Sequence, residues 1–388
     1  MEGINKAVSE IKLPESVKIL RNNYKITPGA RIYRKEWGYY SLERWIKEGY
    51  IPKGTTNTSV KDIFYSKGLF DGFARHRLTD LGGIEAPFIP FFEVKVLEDR
   101  GDYELVQDIA GRKVLYFKDR RDGFMPEYED HPVKDSKSWE NQCKWRMVPK
   151  DQRRFEGIEK SKNEIIEMQK KGIVIAQIAV GGYMYLRSLI GPLELLYMFY
   201  DNPGLIHECM KSWFEVADAT IEYKQKYYNI DEFMLLEDIC YNKDSLISPN
   251  MIREFLFPYY KQLIENIKKR QIDKNRHLYV QLDTDGHAPA VIPLYKEIGM
   301  DVMSPFEVAA DCDVVEIGKK YPWLVIEGGI DKRIIAKGKP HIDKHLEVIM
   351  PAMRKRGGYI PTCDHGVPQE VSFEDYLYFR EKLSEYCL

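Results

Sequence analysis

Residues 278–287 read LYVQLDTDGH, an apolar run that breaks off on Asp283, Asp285 and His287 with Gly286 among them. Four further runs share that form: FMLLED (233–238), DVMSPFE (301–307), WLVIEGGID (323–331) and GGYIPTCDH (357–365). They end on Glu237 and Asp238, on Glu307, on Asp331, and on Cys363, Asp364 and His365. In a parallel α/β barrel the C-terminal strand ends converge on one face, where charges too costly to bury singly form one polar pocket. The pattern therefore predicts an α/β fold, a (β/α)8 TIM barrel, with its active site at that face.

Working outward, apolar runs recur near 173–181, 233–239, 278–284, 301–306, 323–328 and 358–363, separated by helix-length segments. This is the signature of repeated βα units. Between the first two runs Ile206, Met210, Trp213, Ala217 and Ile221 fall at helical spacing, as do Ile252, Phe255, Leu256, Tyr259, Leu263 and Ile267 between the next two. Ser248-Pro249 suits the start of the second helix, and Pro258 predicts a kink inside it. Six units are visible; two more strands must come from the N-terminal part, where the pattern places none. There FFEVKVLEDRGDYELVQDIAGRKVLYFKDR alternates apolar and polar residues, with turn chemistry at Asp99-Arg100-Gly101 and Ala110-Gly111. It reads as an antiparallel meander. The predicted organisation is an N-terminal elaboration with a lid-like β-hairpin over 1–125 and a barrel over 126–388.

Composition narrows the function classes. The 388 residues are 44% hydrophobic and carry a formal charge of -2, enough for one large core and no electrostatic reason to expect nucleic acid or an anionic membrane. No run approaches about 18 apolar residues, and MEGINKAVSEIKLPES lacks the order of a secretion signal, so a cytoplasmic protein is expected. Cys143, Cys209, Cys240, Cys312, Cys363 and Cys387 form no CxxC pair and read as reduced thiols.

Asp283 and Asp285 lie two apart on a strand and so face one way, with Gly286 letting the backbone turn away. They can bind a metal or share a proton; the alternative is that they cap the next helix. Glu237 and Asp238 end an apolar run and need a partner, either a ligand or a salt bridge to Arg187 or Lys243. His365, among carboxylates, suits a metal ligand or a general acid. Glu307 and Asp331 are weaker signals, since Asp331-Lys332-Arg333 also reads as a solvated helix start. Gly181-Gly182 followed by Tyr183, Tyr185 and Arg187 reads as a backbone approach to a ligand beside aromatic walls, or as a packed loop; Tyr197 and Tyr200 are read as packing.

The succession MYLRSLIGPLELLYMFYDNP, EDICYNKDSLISPNMIREFLFPYYKQL, QLDTDGHAPAVIPLYKEIGMDVMSPFEVAAD, VIEGGIDKRIIAKG and GGYIPTCDHGVPQEVSFEDYLYF resembles the uroporphyrinogen decarboxylase superfamily. More closely it resembles that superfamily's cobalamin-dependent methyltransferase branch, with an O-demethylase-like character. MPEYEDHPVKDSKSWEN near 125–141 resembles the approach to the barrel in that branch. The resemblance implies the (β/α)8 fold with its pocket at the C-terminal strand ends. It departs in two places: no arginine-rich RQAGRY-type segment matches, which demotes porphyrinogen decarboxylation, and HxC followed by a later cysteine is replaced by Asp283 and Asp285, then His365 with Cys363. The site implied is richer in oxygen than in thiolate.

The expected function is corrinoid-dependent methyl transfer from a small methylated donor, such as a methoxylated aromatic, to cob(I)alamin. Catalysis is assigned to Glu237, Asp283, Asp285 and His365, and substrate binding to Tyr183, Arg187, Glu307 and Asp331. A metal, zinc if present, would use Glu237, Asp283, His365 and Cys363. No DxHxxG carrier motif occurs, so the cobalamin comes free or on a partner corrinoid carrier protein; a homodimer is also admitted. The alternatives are a decarboxylase of a small carboxylate or porphyrinogen-like substrate, and a non-catalytic corrinoid- or tetrapyrrole-binding protein.

Overall fold

The computed structural model describes residues 13–118 and 126–388. Most of MEGINKAVSEIKLPES and the junction at 125 thus lie outside the described residues. In chain order the strands are β1 (Arg75–Leu81), β2 (Lys95–Arg100), β3 (Tyr103–Gln107), β4 (Lys113–Phe117), β5 (Glu127–Asp130), β6 (Val174–Val180), β7 (Glu232–Leu236), β8 (Tyr279–Thr284), β9 (Val302–Pro305), β10 (Val325–Glu327) and β11 (Tyr359–Ile360). β1 and β6 to β11 form one parallel sheet in sequential order, and β2 to β5 form an antiparallel meander. The six runs read from the sequence are β6 to β11.

The eight-stranded closed barrel is corrected to seven parallel strands among the described residues, with β1 and β11 at opposite edges. An extended segment over residues 32–40 enters the gap between them. Tyr39 bridges Val367 in parallel, the Cys363 amide donates to Glu36 at 2.9 Å, the Tyr33 hydroxyl donates to the Gly72 carbonyl at 2.9 Å, and the Arg34 amide donates to Asp71 at 2.8 Å. Side chains and single bridges thus do there what a strand ladder does elsewhere. The split at 125/126 does not follow the sheets either: β1 precedes it yet belongs to the parallel sheet, and β5 follows it yet belongs to the meander.

The helices between strands form where the spacing predicts. Ile206, Met210, Trp213, Ala217 and Ile221 are all buried along the helix Pro203–Lys224. The Ser248 hydroxyl accepts from the Met251 amide, and Pro249 occupies the first helical turn. Pro258 does interrupt the next helix: a π turn over Ile252–Leu256 precedes it, and the α-helix Phe257–Arg270 restarts with proline in its first turn. A proline there lacks the amide that would hold the preceding turn, so the turn widens. The packing read for Tyr197 and Tyr200 is overturned. The helix Pro192–Asp201 buries Leu195 and Phe199 instead, leaving Tyr197 62% and Tyr200 77% exposed. The meander fastens onto the helix Gly182–Ile190, where Arg112 donates to Ser188 and pairs with Glu85 at 2.9 Å. All six cysteines are buried and free, and among the described residues no helix is long and apolar enough to cross a membrane.

β1 escaped sequence detection because RHRLTDL carries charge where other strands carry aliphatic residues. Its Arg75 is the reason. The guanidinium pairs with Glu232 of β7 at 3.1 Å and Glu327 of β10 at 3.0 Å, and reaches Gln281 of β8 at 3.3 Å. Tyr24 donates to Glu232, and Lys35 also pairs with Glu327. Arg75 is 7% exposed and the two glutamates are almost fully buried. Removing one partner of such a set leaves buried charge uncompensated. We therefore expect Arg75→Met to lower unfolding stability by about 3–5 kcal/mol, measured by urea denaturation; a loss below 1 kcal/mol would show that the cluster does not hold the sheet.

Candidate active site

The mouth of the parallel sheet gathers carboxylates from successive strand ends. Asp283, at the end of β8, stays inside and accepts from the Ser304 hydroxyl of β9, which in turn accepts from Gln281 at 2.9 Å. Asp285 lies two residues further out, where Gly286 (φ +79) turns the chain away. A Cβ on Gly286 would stand 2.6 Å from the Tyr241 carbonyl, so only glycine lets this loop press against the one after β7. Neither aspartate caps the short helix that follows. Glu307, after β9, accepts from the Gly286 amide at 2.9 Å and lies 3.4 Å from the Lys332 ammonium. Asp364, after β11, is buried, accepts from the Val308 amide at 2.9 Å, and lies 3.6 Å from Lys332.

His365 completes this group. Its Nε2 is 3.8 Å from Asp285, its Nδ1 bonds the Tyr40 hydroxyl at 3.0 Å, and its ring packs against Trp37 at a centroid distance of 4.8 Å. Burial and the nearby Lys332 hold the imidazole below its ordinary value, opposed by Glu307 and Asp238. Asp238, after β7, has a left-handed backbone (φ +39) and accepts from the Asp285 amide at 3.4 Å. Burial is the main cause raising Asp238, and Arg187 and His365 oppose it. Asp283 is raised to about 6 by burial, against the Ser304 hydrogen bond. Asp285 is raised furthest, to about 8, by burial and then by Asp238, Glu307 and Asp283. Like charges this close cannot all ionise cheaply, so one carboxyl keeps its proton.

Of the residues predicted for catalysis, Asp283, Asp285 and His365 meet at the mouth. Glu237 does not. It points between strand and helices, accepting from the Tyr183 amide at 2.9 Å and the Tyr260 hydroxyl at 2.7 Å, with its carboxyl raised to about 7 by burial. Gly181 and Gly182 exist for this packing rather than for a ligand: a Cβ on Gly181 would stand 2.2 Å from Glu237, and one on Gly182 2.7 Å from Tyr260. For substrate binding, Glu307 is in place, and Arg187 sits half-buried near Asp238 and Tyr183, with no ion pair among the described residues. Tyr183 is a core residue. Asp331 is a helix cap, accepting from the Arg333 amide and pairing with the Arg333 guanidinium at 2.9 Å.

The four residues named for a metal are not brought together. Glu237 is turned away, and Cys363 is fully buried beside Glu36, which burial and that neighbour hold as a thiol. Among the described residues no three His, Cys, Asp or Glu side chains are arranged to hold an ion. The zinc set read from the sequence therefore does not fit this site. Lys332 was passed over as a solvated helix start; its placement beside Glu307 and Asp364 depends on β9, β10 and β11 lying side by side. Trp37 and Tyr40 come from the segment that fills the gap, about which the pattern of strand ends says nothing.

The raised Asp285 makes a prediction with a definite sign. It titrates near 3.8 when unperturbed and near 8 here, so between those values the folded chain holds a proton the unfolded chain has released, and stability falls as pH rises. Water reaches 44% of the side chain, which limits the effect to on the order of 1 kcal/mol. Asp285→Asn is expected to melt at a higher temperature than the parent at about pH 8, with the gap closing toward about pH 4, followed by circular dichroism. A lower melting temperature at the alkaline end would contradict the crowding of carboxylates.

Comparison with known proteins places this geometry. The family model described as uroporphyrinogen decarboxylase (URO-D) matches residues 123–386. Two curated relatives, both uroporphyrinogen decarboxylases, are similar. The one from Hydrogenobaculum sp. (strain Y04AAS1) is 23% identical over 48% of this chain and 50% of its own length. The one from Thermosynechococcus vestitus is 26% identical over the same shares. The chain thus spans about half the length of the curated relatives it matches. Among solved structures, a methyltransferase from Methanosarcina mazei superposes with a TM-score of 0.55 at 13% identity, covering 95% of this chain and 98% of that one. That likeness is one of fold. With the family model spanning well over half of the sequence, from the last meander strand through the final helix, the chain belongs to the uroporphyrinogen decarboxylase family.

Proposed function

We propose that this protein is the substrate-side methyltransferase of a corrinoid system, acting on a small oxygen-methylated donor. The observation that carries the reading is the proton-holding Asp285 beside a neutral His365 at the strand-end mouth. A reduced cobamide, free or presented by a partner corrinoid protein, would supply the nucleophile for the methyl carbon when bound. The chain's own residues supply the proton. As the carbon–oxygen bond breaks, its electron pair stays on oxygen, and the Asp285 carboxyl protonates that oxygen. His365, oriented by Tyr40 and with its Nε2 3.8 Å from Asp285, returns the proton from solvent. Lys332 ties down Glu307 and Asp364, so the acid retains its uneven partition of charge.

Two features favour this donor class. Asp238, Asp283, Asp285, Glu307 and Asp364 crowd the mouth against the nearby cations Lys332 and Arg187, a poor setting for a substrate bearing many carboxylates. Exposed Tyr197, Tyr200 and Tyr241 follow the ends of β6 and β7, leaving apolar surface on that side for a flat macrocycle and the protein that carries it. The likeness to the Methanosarcina methyltransferase in fold is consistent with the reading. A second reading, decarboxylation of a small carboxylate, is favoured by the family model and by both curated relatives; there the same acid would protonate carbon after carbon dioxide leaves.

The deciding experiment follows loss of cob(I)alamin absorbance with purified protein, a panel of methoxylated aromatics and methylamines, and a reconstituted corrinoid carrier. Turnover with one donor is expected, falling by about 10²–10⁴ in Asp285→Asn and in His365→Ala. No turnover with the carrier present, together with carbon dioxide release from a carboxylate in its absence, would establish the second reading instead.

A further inference from the structure

The gap between β1 and β11 holds more than the segment 32–40. On the β1 side of that segment a cavity of about 590 Å³ opens between residues 33–37, the start of β1 and the helix Val60–Ser66, large enough for a small organic ligand. Its walls include the aromatic rings of Tyr33, Trp37, Tyr65 and Phe73, and the cations Lys61 and Arg77. The other cations of this wall already have partners: Arg34 pairs with Asp71 at 3.1 Å, and Lys35 and Arg75 share Glu327. Lys61 and Arg77 make no direct hydrogen bond or ion pair among the described residues; at longer range Arg77 acts on Glu327 and Asp283, Lys61 feels Glu36 and Glu327, and Arg77 acts on Lys61 as a like charge. Of the acids in the lining, Glu36 answers Arg380 and Asp71 answers Arg34, while Asp62 is turned to solvent. Two cations without a direct partner, beside the rings of Tyr33 and Trp37 and the more exposed rings of Tyr65 and Phe73, leave a place for one anion with a flat apolar body.

We propose that this seam cavity is a binding site for a small aromatic carboxylate, with its carboxylate between Arg77 and Lys61 and its ring against the aromatic wall. A guanidinium matches the planar, two-oxygen geometry of a carboxylate, and the rings cover the apolar part. The site is distinct from the acidic mouth, whose carboxylates would repel such a ligand. It touches that mouth through Trp37, which lines the cavity and packs on His365, and through Arg77, whose charge acts on Asp283. A ligand in the seam therefore fixes the indole against which the mouth histidine rests. The inference does not depend on the methyl-transfer reading.

The test is isothermal titration calorimetry of the full chain with benzoate, uncharged benzamide and inorganic phosphate, with no cobamide present. Benzoate is expected to bind saturably, and benzamide and phosphate at least about tenfold more weakly. Arg77→Gln and Lys61→Gln are each expected to weaken benzoate by about tenfold or more, with a thermal melt of each ligand-free variant separating lost binding from lost fold. Arg253→Gln, on the surface, serves as the control. Equal binding of benzoate and benzamide, benzoate binding unaltered in both seam variants, or tighter binding of phosphate would each overturn the assignment.

Discussion

The working face depends on one guanidinium buried in the interior of the sheet. Arg75 takes carboxylates from β7 and β10 and an amide oxygen from β8, so the first strand of an incompletely closed sheet is joined across the interior to strands it does not neighbour. In a closed barrel, ladder hydrogen bonds fix the circumference. Here that closure is shared with an ionic cluster that must stay matched, because each glutamate without its arginine is a buried charge with no answer. The acids that follow β7, β8, β9 and β11 share one space only while this internal tie holds the sheet.

At the mouth the same currency is used with a different balance. The interior cluster matches its charges closely, and Glu327 stays ionised well below the ordinary carboxylate range because Arg75 and Lys35 surround it. The mouth is left deliberately short of cations, and its carboxylates climb. Two groups of acids on the same strands thus sit on opposite sides of neutrality, one fixed as structural anions and the other holding a proton for use.

Much of this was legible in the sequence, for physical reasons that also explain the failures. β6 to β11 announce themselves because strands buried on both faces are continuous apolar runs, and their terminal acids were found because charge following such a run needs a purpose. β1 stayed hidden because its inward residues are arginines, which look like surface. Glu237 misled because it is adjacent to Asp238 and equally acidic; side chains alternate along an extended chain, and the one facing the helices became a buried acceptor for Tyr183 and Tyr260. Asp331 had a local explanation, the helix cap, and the structure chose it. Tyr40 and Trp37 could not be found from strand ends at all, because their contact with His365 spans more than three hundred residues.

That span has a consequence for how the chain reaches its fold. The segment 32–40 is held by Val367, Cys363 and, through Ile32, the carbonyl of Cys387. A wall of the site therefore cannot settle until residues more than three hundred positions later have been synthesised and their helix has docked. Contacts of such sequence separation form late and slowly. During synthesis β1 would wait with an open edge and an unanswered arginine, since Glu327 also emerges late. The residues that complete the mouth are thus also the last to assemble, and the site becomes competent only when segments more than three hundred residues apart have met.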